Sequence, residues 1–188
     1  STIKGELPTQ FKRLVHAPTK LHRRILQLID AEIALAKAGQ PARIVTKVNT
    51  LVDDSVVAKL YAASQAGVKI DLVVRGACSL VPGIKGLSEN IRVVSIVDRF
   101  LEHSRIYYFE GSRVMYLSSA DWMQRNFFSR LELAFPVLDA ALYEFIEKTV
   151  LATYLSDNVK GRELQSDGTW KPLAPAGEQP PLRSQFYF

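Results

Sequence analysis

Ile44-Val45-Thr46-Lys47-Val48-Asn49 and Ile70-Asp71-Leu72-Val73-Val74-Arg75 bracket an interval of helical character, and that arrangement decides the fold. β-Branched residues dominate the first run, which suits a pleated strand. Asp53 or Asp54 can cap the helix that follows; Val56, Val57, Leu60 and Tyr61 give it an apolar side, and Gly67 stops it. The second run is apolar on both faces, as a strand covered from both sides must be. Strand, helix and strand in this order make a βαβ unit, hence a parallel pair inside a covered α/β sheet.

Upstream, Leu21, Ile25, Leu28, Ile29 and Ile33 recur at helical spacing between Thr19 and Ala38, with Gly39 and Pro41 as a stop. Downstream, Gly76 to Asn90 has the composition of a loop, and it leaves directly from a strand end, where function tends to sit. Strands are expected at Ile91 to Val97, Ser104 to Phe109 and Val114 to Ser118, with a turn at Glu110, Gly111 and Ser112. Arg130 to Val137 reads as a further strand with Leu131, Leu133 and Phe135 in the core. Asp139 then caps a helix to about Tyr154, its apolar face built mostly from Leu142, Phe145, Ile146, Val150 and Ala152. From Ser156 on, Pro172, Pro175, Pro180 and Pro181 predict a loosely structured tail.

The 188 residues, 47% hydrophobic, are enough for one substantial core, so a single domain is expected. Ser1 to Gln10 reads as a segment continuing from something upstream, though removal of an initiator Met would look the same. Cys78 is the only cysteine, which excludes an internal disulfide and fits a reducing compartment, the cytoplasm. No apolar run approaches the roughly 20 residues of a membrane span. A net charge of +5 favours anionic partners without choosing among nucleotides, polyphosphate, nucleic acid and a membrane surface.

The charges narrow the choice. Arg75 ends an apolar strand of the βαβ unit, where ligands of open α/β sheets bind, and a guanidinium there can grip phosphate bidentately. His103 and Arg105 share one face of their strand, and Glu132 is a carboxylate within a core strand that needs a partner, His103 being the candidate. A carboxylate on one ring nitrogen would make the other more basic, suiting a nucleophile or acid/base at phosphorus. Lys47 and Asn49 emerge at the same sheet edge as Arg75 and are expected to line the same phosphate-binding crevice. A solvated strand-end arginine, a purely structural His–Glu pair, or an exposed lysine beside a turn asparagine would give the same spacings. His16 and His22 read as surface or packing histidines. A phosphate-binding glycine loop, a dinucleotide fingerprint and a Cys/His zinc cluster are absent from the sequence.

Four stretches carry a resemblance: Val74-Arg75-Gly76-Ala77-Cys78-Ser79-Leu80, Leu87-Ser88-Glu89-Asn90-Ile91-Arg92-Val93, Arg99-Phe100-Leu101-Glu102-His103-Ser104-Arg105 and Leu117-Ser118-Ser119-Ala120-Asp121-Trp122-Met123. They closely resemble the C-terminal domain of bacterial polyphosphate kinase, over about Leu14 through Phe188. The resemblance implies a phospholipase-D-like mixed β-sheet flanked by helices. That signature is His-x-Lys, an Asp five residues on, then Gly-Ser-x-Asn. Here Arg105 replaces the lysine, Glu110 takes the Asp position, Ser118-Ser119-Ala120-Asp121 replaces the last element, and Glu132 matches the acidic residue that often follows.

The resemblance further implies reversible transfer of the ATP γ-phosphate to polyphosphate with Mg²⁺, through a phosphohistidine in a preceding domain that also supplies most metal ligands. By position, Arg75 and His103 correspond to residues contacting the ATP phosphates; Arg105, Glu132 and Asp121 are added on chemical grounds. Expected partners are ATP or ADP, inorganic polyphosphate and the rest of the parent chain, in a homo-oligomer, with no nucleic acid. The expected location is cytoplasmic, extending to the periphery of the inner membrane. Residues 1–13 are then a linker, 14–155 the phospholipase-D-like domain and 156–188 a Pro-rich tail. A phospholipase-D-like phosphodiesterase and a non-catalytic polyanion-binding module are the alternatives.

Overall fold

A computed structural model of the protein describes residues 14–18 and 20–188, and the expected linker at 1–13 lies outside them. Along the chain run β1 (Val15–His16), α1 (Leu21–Lys37), β2 (Arg43–Val48), α2 (Asp54–Gln65), β3 (Lys69–Val74), β4 (Ile91–Ile96), β5 (Arg105–Phe109), β6 (Val114–Ser118) and β7 (Leu133–Pro136). A continuous helical rod follows, α3 (Ala140–Phe145) passing through a wide-turned π stretch, Ile146–Leu151, into α4 (Ala152–Leu155), and then β8 (Gly161–Leu164) and β9 (Trp170–Pro172). The strands form one mixed sheet in the order β1-β7-β6-β5-β2-β3-β4-β8-β9.

The expected βαβ unit is its centre. β2 and β3 pair in parallel from Arg43↔Lys69 to Val48↔Val74, and β4 continues the parallel set. The Asp53 carboxylate caps α2 by accepting from the Val56 N–H at 2.9 Å. α1 and α2 cover one face, where Leu21, Ile25, Ile29, Leu60, Leu72 and Phe109 are buried together. Buried Glu32 on α1 accepts from Gly111 N–H at 2.7 Å and from the Ser112 hydroxyl at 3.2 Å, tying the helix to the β5–β6 turn. Gly111 is required there, because a Cβ would lie 2.6 Å from Glu32 Oε2 and 2.8 Å from the Pro41 carbonyl.

The helical rod covers the other face at its centre, with Ile146 and Leu151 on Val45, Ile106, Tyr108 and Met115. It does not reach β7, which corrects the expected orientation of that strand. Leu131 (82% exposed), Leu133 (38%) and Phe135 (49%) face outward, whereas Glu132 and Ala134 point inward. Strand alternation is preserved, but β7, second from the sheet's margin, is buried on one side only. Leu142 and Phe145, expected in the core, are likewise exposed, and Tyr143 packs in their place.

The segment after Ser156 also departs from expectation, since it extends the sheet rather than hanging from it. β8 pairs antiparallel with β4 and β9 with β8. Asp157 anchors the return: its carboxylate accepts from the N–H groups of Val159, Lys160 and Gly161 and from both N–H and hydroxyl of Ser184. Those bonds hold the Asp157 carboxyl below its ordinary range even though burial pushes the other way.

Candidate functional site

The carboxyl ends of β2 and β3, the start of β5 and the end of β6 converge on the segment Glu102–Ser104. Lys47 is only 5% exposed. Its Nζ reaches the Glu102 carboxylate at 3.2 Å and donates to both the carbonyl and the hydroxyl of Ser104 at 3.2 Å, with the Tyr154 ring 4.9 Å away. Burial lowers the Lys47 pKa, and Glu102 pulls it back upward. Arg75 Nη1 donates to the Glu102 carbonyl at 3.3 Å. The Asn49 carboxamide, oriented to satisfy both neighbours, donates to the same carbonyl at 3.2 Å and accepts from Arg105 Nη2 at 3.1 Å.

Arg105 completes the grip. Its Nη1 donates to the His103 carbonyl at 2.6 Å, while Nε and Nη2 hold both oxygens of Asp121 at 3.1 and 3.2 Å. Asp121, 7% exposed, also accepts from the Asn49 backbone N–H at 2.7 Å. Asp121 is thus a buried hub rather than a group facing a phosphate, and Arg105 is bound to it.

The outcome is a backbone held from behind, with an exposed His103 ring that makes no hydrogen bond among the described residues. Arg75, unlike Lys47 and Arg105, has no carboxylate partner among them. The expected pairing of His103 with Glu132 is not formed. Glu132 is buried, but it accepts from the Ser119 hydroxyl and, at 2.8 Å, from Asn126 Nδ2. Neutral partners after β6, Ser119 and, from the helical segment Arg125–Ser129, Asn126, satisfy this carboxylate in place of the histidine. Glu110 sits at the far end of β5, 4.0 Å from Arg43. His22, read as a packing histidine, bonds Asp53 and Ser55 and lies against the rings of Phe127 and Phe128.

Three features escaped the sequence reading. Glu102 and Ser104 are the partners of Lys47, and their place beside His103 was the available signal. The third is a clasp on the loop leading to His103. Arg183 makes a forked pair with Asp98 at 2.7 and 2.6 Å, and the Gln185 side chain both accepts from Phe100 N–H and donates to Phe100 C=O at 2.8 Å. The arginine pulls the Asp98 carboxyl down to about 2.

A Mg²⁺ ion finds no oxygen cage here: the site's two carboxylates, Glu102 and Asp121, are committed to Lys47 and Arg105. No group of three or more His, Cys, Asp and Glu that could hold a metal occurs among the described residues. Nor is any described helix long and apolar enough to cross a membrane.

Residues 14–185 match the family model described as polyphosphate kinase C-terminal domain 2. The chain is 53% identical over 178 residues to a polyphosphate kinase of Pseudomonas aeruginosa, covering 94% of this chain and 26% of the relative. It is 49% identical over 174 residues to one of Xylella fastidiosa strain Temecula1, covering 92% and 25%. The chain therefore spans about a quarter of the length of these curated relatives. Among solved structures, polyphosphate kinase from Porphyromonas gingivalis superposes with a TM-score of 0.88 at 41% identity, over 96% of this chain and 28% of that one. Nuc from Salmonella typhimurium, a phospholipase D family member, superposes at 0.59 with 13% identity over 81% of this chain and 97% of its own, a likeness of fold alone.

Proposed function

The chain belongs to the polyphosphate kinase C-terminal domain 2 family, and on that premise we propose that it forms one wall of an ATP:polyphosphate phosphotransferase site. The γ-phosphoryl group of ATP passes to a histidine nitrogen in the preceding part of the parent chain, releasing ADP. It then passes from that nitrogen to the terminal oxygen of polyphosphate, and both steps are reversible. This chain supplies positioning and charge, which carry most of the catalysis of phosphoryl transfer. His103 donates a hydrogen bond or proton to the phosphoryl group in transit, and Arg75 neutralises the charge spreading onto its oxygens.

Lys47, Asn49, Arg105 and Asp121 act as positioning residues: they fix the carbonyls and side chains of Glu102–Ser104 so that the His103 ring faces outward. Glu132 acts further back, holding Ser119 and Asn126. Mg²⁺ would supply charge neutralisation when bound, with its ligands coming mainly from the rest of the parent chain. Residues 1–13 link to that part, 14–155 form the phospholipase-D-like unit, and 156–188 extend it. The working form is a homo-oligomer of the parent enzyme in the cytoplasm or at the periphery of the inner membrane.

The observation that carries this reading is an imidazole with no hydrogen bond among the described residues, on a backbone held by four side chains, beside a cation with no carboxylate partner among them. Against a phosphodiesterase weighs Arg105, at the position of the signature lysine, because Asp121 occupies its fork. ATP/polyphosphate exchange by the full-length parent should fall at least about 100-fold in His103→Ala, the scale of losing a transition-state donor. Undiminished exchange would remove His103 from the mechanism.

A further inference from the structure

Away from the strand-end site, a cavity of about 580 Å³ opens between α1, β6 and the chain leaving β7. Lys20, Arg23, Arg24 and Arg113 line it, and none of its lining residues is acidic. Three of these cations come from one end of α1 at spacings of three and four residues, which places them on one side of the helix. Arg24 is half-buried with its Nε on the Tyr116 hydroxyl at 3.3 Å. Arg113 borders it from the β5–β6 turn, where its φ of 54° lies in the left-handed region, with its guanidinium 5.8 Å over the Tyr143 ring. No ion pair to any of the four occurs among the described residues, although Arg43, Lys47, Lys59, Arg92, Arg105 and Arg183 all have carboxylate partners.

Apart from Gln27 and Tyr116 the rest of the lining is apolar, including Val15, Val114, Pro136 and Val137. A cleft with charge of one sign and low-dielectric walls concentrates its field and draws counter-ions into the cleft. A single phosphate would use a fraction of that charge, whereas an extended polyanion with a charge on every unit would use all of it.

We propose that this groove binds a run of condensed phosphates longer than a triphosphate, holding the distal part of a polyphosphate chain whose terminal group reacts near His103. The identity of the polyanion rests on the phosphotransferase reading above; the anion site rests on the groove itself. The groove supplies affinity for the polymer, and the strand-end site supplies alignment of its end.

The test is direct binding of long-chain polyphosphate, tripolyphosphate and ATP to this whole chain, with no phosphoryl transfer involved. Lys20→Gln/Arg23→Gln removes two exposed cations without touching the Arg24–Tyr116 bond, and an unchanged thermal melt certifies the fold. Long-chain affinity should drop about tenfold, and the slope of log affinity against log salt should shrink by about one for each cation removed. Tripolyphosphate and ATP should change less than twofold, and long-chain binding should persist in Arg75→Gln/His103→Gln.

Unchanged long-chain affinity and salt slope in the groove variant would overturn the proposal. So would an equal loss for ATP or tripolyphosphate, which would make the groove a site for short phosphates, or displacement of polyphosphate by polyglutamate as readily as by polyphosphate itself. Because His103→Ala is read by exchange in the parent and the groove by binding to this chain, either idea can fail while the other holds.

Discussion

Two cationic regions of this molecule are wired in opposite ways. At the strand ends Lys47 meets Glu102, Arg105 meets Asp121, and the remaining donors hold carbonyls of residues 102–104. Along α1, Lys20, Arg23, Arg24 and Arg113 face a cavity with no acid in its lining. Paired cations contribute little net field but fix geometry, which is what a transferring group requires. Unpaired cations fix little and attract strongly, which suits a polymer held anywhere along its length. Formal charge alone would rank the groove first for anion binding; chemistry at a defined atom needs the other region.

Four measurements would break or sharpen this contrast. The largest effect is expected at Arg75, the strand-end cation without a carboxylate: Arg75→Ala in the full-length parent should lower kcat/KM for exchange by about 100- to 1,000-fold, an effect of a few kcal/mol on the transition state. A loss confined to KM would make Arg75 a binding residue only. Next, Lys47→Met leaves Glu102 without its cation and should cost about 2 kcal/mol in urea unfolding, below the usual range for buried pairs because Glu102 is 20% exposed. Adding Glu102→Gln should restore most of that loss, and no restoration would mean that the pair is not the source.

A third, smaller effect concerns the clasp. The depressed Asp98 carboxyl contributes stability that is fully present above its unfolded value of about 4 and is lost as pH falls through about 2. Protection factors of the amides in residues 98–104, corrected for intrinsic exchange, should therefore fall several-fold between pH 4 and 2, while Asp98→Asn should already show low protection at pH 4 and no such acid step. The smallest effect belongs to the groove. Lys20→Gln should shift unfolding by less than about 0.5 kcal/mol, as expected of a surface residue with no partner among the described residues, and a larger loss would reveal an attachment that the contrast denies.

The centre of the fold was legible because β2, α2 and β3 announce themselves through local periodicity and a capping aspartate. Arg75 and His103 were legible as polar residues at the margins of buried strands. Glu132 was correctly read as a buried carboxylate, but matching charge with charge led to His103, whereas Ser119 and Asn126 are neutral and carry no such flag. The apolar alternation of β7 was visible, yet which side is roofed depends on where a later helix crosses the sheet. The prolines after Ser156 argued for looseness, and nothing local opposed them: Asp157 meets Ser184 across 27 residues and Asp98 meets Arg183 across 85. Lys47 was underweighted for the same reason, its partners lying more than fifty residues downstream.

That separation sets an order of events during synthesis. The loop before His103 leaves the ribosome 85 residues ahead of the arginine that clasps it, an interval of about 4–17 s at ordinary rates of about 5–20 residues per second. In that interval β2 to β7 can assemble the sheet's centre while residues 98–100 remain untethered. The approach to His103 is thus among the last features to be fixed, and a nascent chain stalled before Arg183 would carry the bonds of Lys47, Asn49, Arg75 and Arg105 to residues 102–104 without the clasp on Asp98.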